Sequence, residues 1–183
     1  PLSTCHLLLT KFFLTEKILF LSSKIRLKTR MHILLTCAYI AAFVFIIRKW
    51  SFFKSDGIPA SWPTYLFLLK IVAGIILGLI YTYHYTDIKT TDTFKFFNDS
   101  AILYQSFQSH PYDFFRMFTG IDADAEELRS YYVQMNAWLN TNLLFNDNRT
   151  IIRLNAFFHF FSLGFYYIHV VFLNFLSFIG LFC

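Results

Sequence analysis

The sequence predicts an all-α integral membrane protein. The expected form is a helical bundle fragment with about three transmembrane helices and an outer, partly helical loop bearing interfacial amphipathic helices. Three observations carry this prediction. Of 183 residues, 56% are hydrophobic and only 15% charged, against about 25% charge in an average soluble domain. The mean hydropathy is +0.49. Three apolar runs, over about 31–47, 65–83 and 154–183, are separated by polar segments, the pattern that bilayer crossing imposes. The same composition excludes a disordered chain or a disulfide scaffold. Cys5, Cys37 and Cys183 lie in or beside apolar runs and have no metal-ligand spacing.

Residues 1–30 hold six basic residues and one acid, whereas residues 31–183 hold ten of each sign, so the net charge of +5 arises entirely in the first thirty. Overall basicity is therefore no sign of nucleic-acid binding, and no nucleic-acid partner is expected. The expectation for residues 1–30 is sequence translated upstream of a start at Met31, with the C-terminus cut inside a span. The alternative is a basic juxtamembrane tail with a weakly amphipathic helix over about residues 6–22.

The membrane domain then occupies residues 31–183. Its first span, Met31–Ile47, is near the short limit for crossing and reads as a signal anchor, because Arg48-Lys49-Trp50 follows rather than a cleavage site. A loop over 48–63 is broken by Gly57, Pro59 and Pro63 and edged by Trp50, Phe52, Phe53 and Trp62, as at an interface. The second span covers about 65–83, with Lys70 near its entry and able to snorkel. The outer loop, 84–150, carries nine acids and five basic residues and is too long for a mere connector. An interfacial helix over about 148–162 and a third span over about 163–183 complete the chain. The basic short loop places 48–63 in the cytoplasm and 84–150 outside. The expected location is a cytoplasmic (inner) membrane, multi-pass, with membrane lipid as partner.

Within the outer loop, Thr91 is a natural N-cap for a helix opening at Asp92. Phe94, Phe97, Ala101 and Tyr104 form one apolar stripe of that helix. Asp92 and Asp99, seven residues apart, fall on nearly the same face with Lys95 between them. Asp92 suits a general base at the membrane surface, and Asp99 a substrate-binding carboxylate. The alternative for Asp92 is first-turn helix chemistry, and for Asp99 an ion pair with Lys95. His84, Asp87 and Asp92 are the best-placed residues for a divalent metal, but they match no ligand motif, and no cofactor is expected. His110-Pro111 predicts a helix with Pro111 at its first position. Gly120 ends that helix, and Asp122, Asp124, Glu126 and Glu127 sit as caps of the next. Asn146 or Asp147 caps a helix that sets Arg149 and Arg153 one turn apart, where two guanidinia suit a lipid phosphate or pyrophosphate; the alternative is snorkelling to headgroups.

A span, then Thr91-Asp92-Thr93-Phe94-Lys95-Phe96-Phe97-Asn98-Asp99-Ser100, then an aromatic outer segment with Pro111, an interfacial helix from Asn146-Asp147-Asn148-Arg149, and another span resembles the N-terminal part of a bacterial GT-C-type glycosyltransferase. The resemblance covers about residues 64–183. It implies a multispan enzyme that uses a polyprenyl-phosphate sugar donor at the outer face of the membrane. It also implies that Asp92 acts on the acceptor, although Thr93 stands where the family often has a second acid. The alternative of another class is a non-enzymatic membrane protein, either a transporter fragment or an assembly partner for envelope polysaccharide.

Overall fold

The computed structural model describes residues 27–54, 57, 59–84, 91–138 and 148–182, and among them all regular structure is helical. Residues 1–26, Asp87 and the expected capping pair Asn146 and Asp147 lie outside the described residues. The chain divides into two units, residues 1–42 and 43–183, with the border inside the first helix.

That helix, α1 (Leu27–Lys49), is 23 residues long, roughly 35 Å at 1.5 Å per residue, enough for a hydrocarbon core of about 30 Å. It exceeds the expected 31–47 because Leu27–Arg30 continue it at the N-terminal side and Arg48 and Lys49 at the other. In the first unit Ile33 and Leu34 are exposed, as lipid-facing residues are, and the Thr36 hydroxyl is satisfied by the His32 carbonyl at 2.7 Å.

In the second unit the last turns of α1 are packed. Phe43 and Ile47 are buried, and the Phe43 ring stacks on Phe175 with centroids 4.1 Å apart. A 3-10 turn, Ser51–Phe53, buries Phe53 against Phe178. Next comes α2 (Trp62–Tyr83), which opens on Pro63, where a missing N–H costs no hydrogen bond. Its Leu69, Val72, Ile76 and Ile80 are exposed, while Phe67 and Ile71 are buried. Gly74 and Gly78 lie on the packed side: a Cβ at Gly74 would stand 2.5 Å from Asn174 Nδ2, and one at Gly78 3.2 Å from the Tyr166 ring. Two glycines four residues apart thus let α2 approach its neighbour closely, the small-residue solution of membrane helix pairs.

That neighbour belongs to a bent pair, α6 (Asn148–Ser162) and α7 (Tyr166–Ile179), which meet at 118°. Leu163 at φ 52° and Gly164 at φ 79° make the break. The third span, expected from Leu163, is therefore a 14-residue helix from Tyr166. Alone it measures about 21 Å, short of a hydrocarbon core. Two helices, α1 and α2, are long and apolar enough to cross a membrane, or three if the bent pair counts as one span.

Between α2 and α6 the chain builds a small helical cap. α3 (Asp92–Ser109) and α4 (Pro111–Thr119) are followed by a 3-10 turn, Glu126–Leu128, that runs into α5 (Arg129–Tyr132). Leu103, Phe114, Met117, Leu128, Trp138 and Ile152 close a hydrophobic core between these elements and α6, so this segment packs as a unit rather than serving merely as a connector. α4 starts at Pro111 and ends at a left-handed Gly120, as expected. The acidic stretch after it departs from expectation. Only Glu126 and Glu127 occupy a first turn; Asp122 and Glu127 are bound by Arg116, and Asp124 by Arg149 at 2.9 Å. Arg129 pairs with Glu126 at 3.1 Å, so three cations of the cap lie within reach of these acids.

Candidate functional site

Asp92 begins α3 directly after Thr91. Its carboxylate is 78% exposed and its one ion-pair partner among the described residues is Lys95, at 3.5 Å. The carboxylate is accessible from solvent, and a helix N-terminus stabilises its charge by about 0.3–1 kcal/mol.

Asp99 is different. Lys95 pairs with Asp92, not with Asp99, which is fully buried. Asp99 accepts hydrogen bonds from Asn136 N at 2.8 Å, Asn136 Nδ2 at 3.1 Å and Ala137 N at 2.7 Å. The shared helix face is real, yet the two environments are opposite. Asp92 lies in the first turn and is exposed, whereas the segment 135–138 lies over the second. With three hydrogen bonds taken inside the protein, Asp99 pins a loop to α3, which replaces the expected pairing and leaves its carboxylate no face for a substrate.

The pinned loop carries Trp138, fully buried and stacked on Tyr132 with centroids 5.0 Å apart. Both arginines of α6 converge on it. The guanidinium of Arg149 lies 5.2 Å from the indole ring and that of Arg153 5.4 Å, within range of a cation–π contact. Arg149 also donates to Asp124 Oδ1 and, at 3.4 Å, to the Trp138 carbonyl. Arg153 Nε donates to the Met117 carbonyl at 2.8 Å. The Arg153 fork reaches past Gly120, where a Cβ would stand 3.1 Å from Nη2, and its terminal nitrogens take no partner among the described residues. Burial pushes the Tyr132 phenol up to about 12, so it stays a neutral donor to the Ala123 carbonyl. Three of the four expected site residues, Asp99, Arg149 and Arg153, therefore meet at the Asn136–Trp138 segment; Asp92 stands apart from them.

A buried polar chain that the sequence reading did not single out crosses α6 and α7. Asn155 Oδ1 lies 2.9 Å from His169 Nδ1, and His169 Nε2 lies 2.7 Å from Ser162 Oγ. The Asn155 oxygen requires the proton on Nδ1, so Nε2 accepts from the serine. This is the order of a serine-nucleophile triad, but Ser162 is fully buried and its oxygen already accepts from Gly164 N at 3.3 Å. The chain fastens the bend. His159, stacked on Tyr104 and 3.1 Å from Ser100 Oγ, joins α6 to α3 in the same way. The predicted apolar stripe of α3 lines this region, with Phe94 stacked on Tyr166 at 4.5 Å and Phe97 edge-on to His169 at 4.8 Å.

Between α2, α3, α6 and α7 lies an open cleft of about 310 Å³. Its wall is mainly apolar, and its polar atoms come from Thr93, Asn155, Tyr166, His169, Asn174 and Ser177. At the far end from Thr93, Lys70 Nζ of α2 donates to Ser177 Oγ at 2.8 Å. The available signal was the helical spacing of Tyr166, His169, Asn174 and Ser177 within an apolar run, together with Gly74 and Gly78 four apart. Among the described residues no three His, Cys, Asp or Glu side chains are arranged to hold a metal ion; Asp87 of the suggested set lies outside them. The fold and site define an all-helical protein with two or three helices able to cross a membrane and a packed cap. Comparison with known protein families, with curated proteins and with solved structures finds no match.

Proposed function

We propose that this chain is the N-terminal part of a multi-pass glycosyltransferase of the cytoplasmic membrane, which transfers a sugar from a polyprenyl-phosphate donor at the outer face. The observation that carries the reading is the exposed Asp92 carboxylate at the start of an outer helix, next in sequence to Thr93 on the wall of an apolar cleft. Asp92 takes the proton of an acceptor hydroxyl as that oxygen bonds to the anomeric carbon. The bond from that carbon to the phosphate oxygen breaks, and the lipid phosphate leaves with the electron pair. Arg153, with its outer nitrogens unused in hydrogen bonds by the described residues, is the better phosphate ligand of the two arginines, since both lie over Trp138 but only Arg149 is paired with Asp124.

The test is transfer from a radiolabelled polyprenyl-phosphate sugar in membranes that carry the full-length protein. A general base contributes roughly 10²–10⁴-fold in rate, so Asp92→Asn abolishes turnover while insertion stays normal. Retention of more than about a tenth of wild-type transfer, far above what loss of a base leaves, removes Asp92 from the chemistry. A second reading, a non-enzymatic assembly partner, is favoured by the internal commitment of Asp99 and Arg149; it expects no transfer from wild type either.

A further inference from the structure

Lys70 is eight residues into α2, about 12 Å along a helix that rises 1.5 Å per residue. Among the described residues its ammonium bonds the Ser177 hydroxyl alone, and no carboxylate pairs with it. An ionisable group at this depth in a bilayer is costly and ordinarily has a counter-charge. Simple snorkelling along its own helix does not account for the geometry, because the ammonium crosses to α7. Ser177 lines the inner end of the cleft, and Asn174 next to it spends its amide N–H on the Val170 carbonyl, at 2.8 Å. The wall contributed by α2 and α7 also includes Gly74, Leu77, Val170 and Leu173.

We propose that the α2–α7 cleft is a lipid-binding site for a single-chain anionic amphiphile. Its chain lies against Gly74, Leu77 and Leu173 and its anionic head pairs with Lys70 and Ser177. Charge complementarity selects the occupant: the wall of the cleft is mainly apolar, and the Lys70 ammonium stands at its Ser177 end. A volume of about 310 Å³ is at the lower end of ligand pockets, roughly 300–1,000 Å³, and suits one chain rather than two. This site does not rest on the sugar-transfer reading; a chain inactive in transfer still binds the lipid here.

The experiment uses the full chain in phosphatidylcholine nanodiscs with a photoactivatable lysophosphatidate carrying the reactive group in its acyl chain. Labelled peptides are mapped by mass spectrometry. The expected result is labelling of α2 and α7 around Gly74, Leu77 and Leu173, competed by unlabelled lysophosphatidate. Monoacylglycerol, which lacks the charge, and two-chain phosphatidate compete at least several-fold less well. Loss of one charge-assisted contact weakens labelling roughly tenfold in Lys70→Met, while Lys70→Arg keeps most of it. Leu173→Trp, which fills the cleft and keeps the charge, also lowers labelling. Equal competition by monoacylglycerol on the wild-type protein overturns the proposal without any variant. Equal competition by phosphatidate, or wild-type labelling in Lys70→Met, overturns it as well.

Discussion

Asp99 and Asp92 show how far a single residue type is decided by what lies over it. Both are acids on one face of α3, yet one is buried with three donors and the other is exposed beside Lys95. Hydrogen bonds to a charged group contribute about 1.5–3 kcal/mol each, and a buried donor left unpaired costs a similar amount. Asp99→Asn keeps the shape but turns one acceptor oxygen into a donor facing an N–H. It is expected to lower the stability of the detergent-solubilised protein by about 2–4 kcal/mol, somewhat above one such bond, measured by thermal unfolding with the Trp138 fluorescence as reporter. A change below about 0.5 kcal/mol, the range of an ordinary surface substitution, contradicts the clamp. The spacing of the two acids was legible in the sequence. What hid the outcome is a loop from residues 135–138 that returns across 37 positions, and no local pattern encodes such a contact. Arg149 and Arg153 were legible as a pair for the opposite reason: one helical turn fixes their separation, although the Trp138 ring they share did not show.

At the scale of elements, the starts of α3 and α4 were readable because Thr91 and Pro111 are local signals, and Gly120 equally marked an end. The bend between α6 and α7 was only half readable. A thirty-residue apolar run is too long for one span, which placed a break near residue 162. The sequence reading made no use of the Asn155–His169–Ser162 chain that holds the break, because its residues are apart in sequence and each is unremarkable alone. The α2–α7 contact depends on Gly74, where a new Cβ meets Asn174 Nδ2 at 2.5 Å and Val170 Cγ1 at 2.9 Å. Overpacking of this kind costs typically 1–3 kcal/mol. Gly74→Leu is therefore expected to lower the thermal midpoint and to reduce disulfide trapping between cysteines placed at Phe67 and Phe178, whose ring centroids lie 5.6 Å apart. Leu69→Ala, on the exposed face of α2, is expected to change stability by less than about 0.5 kcal/mol. Equal effects of the two substitutions contradict the close approach of α2 and α7.

For the molecule as a whole, composition decided the class: an all-helical chain with two or three helices able to cross a membrane. Length and hydropathy are properties of single segments, so they survive without knowledge of packing. The cap was visible only as a segment too polar for a span and too long for a connector, since its core draws on Leu103, Met117, Trp138 and Ile152 from four separate stretches. The proposed sugar transfer requires this cap, with Asp92 at its edge, to stand on the outer surface, as expected if the short loop with Arg48, Lys49 and Lys54 stays inside. The most direct measurement places one cysteine at the exposed Ser109, with Cys5, Cys37 and Cys183 changed to serine, and treats intact spheroplasts with a membrane-impermeant maleimide. The account predicts full labelling before lysis; labelling that appears only after lysis puts the cap and Asp92 on the inside and contradicts it.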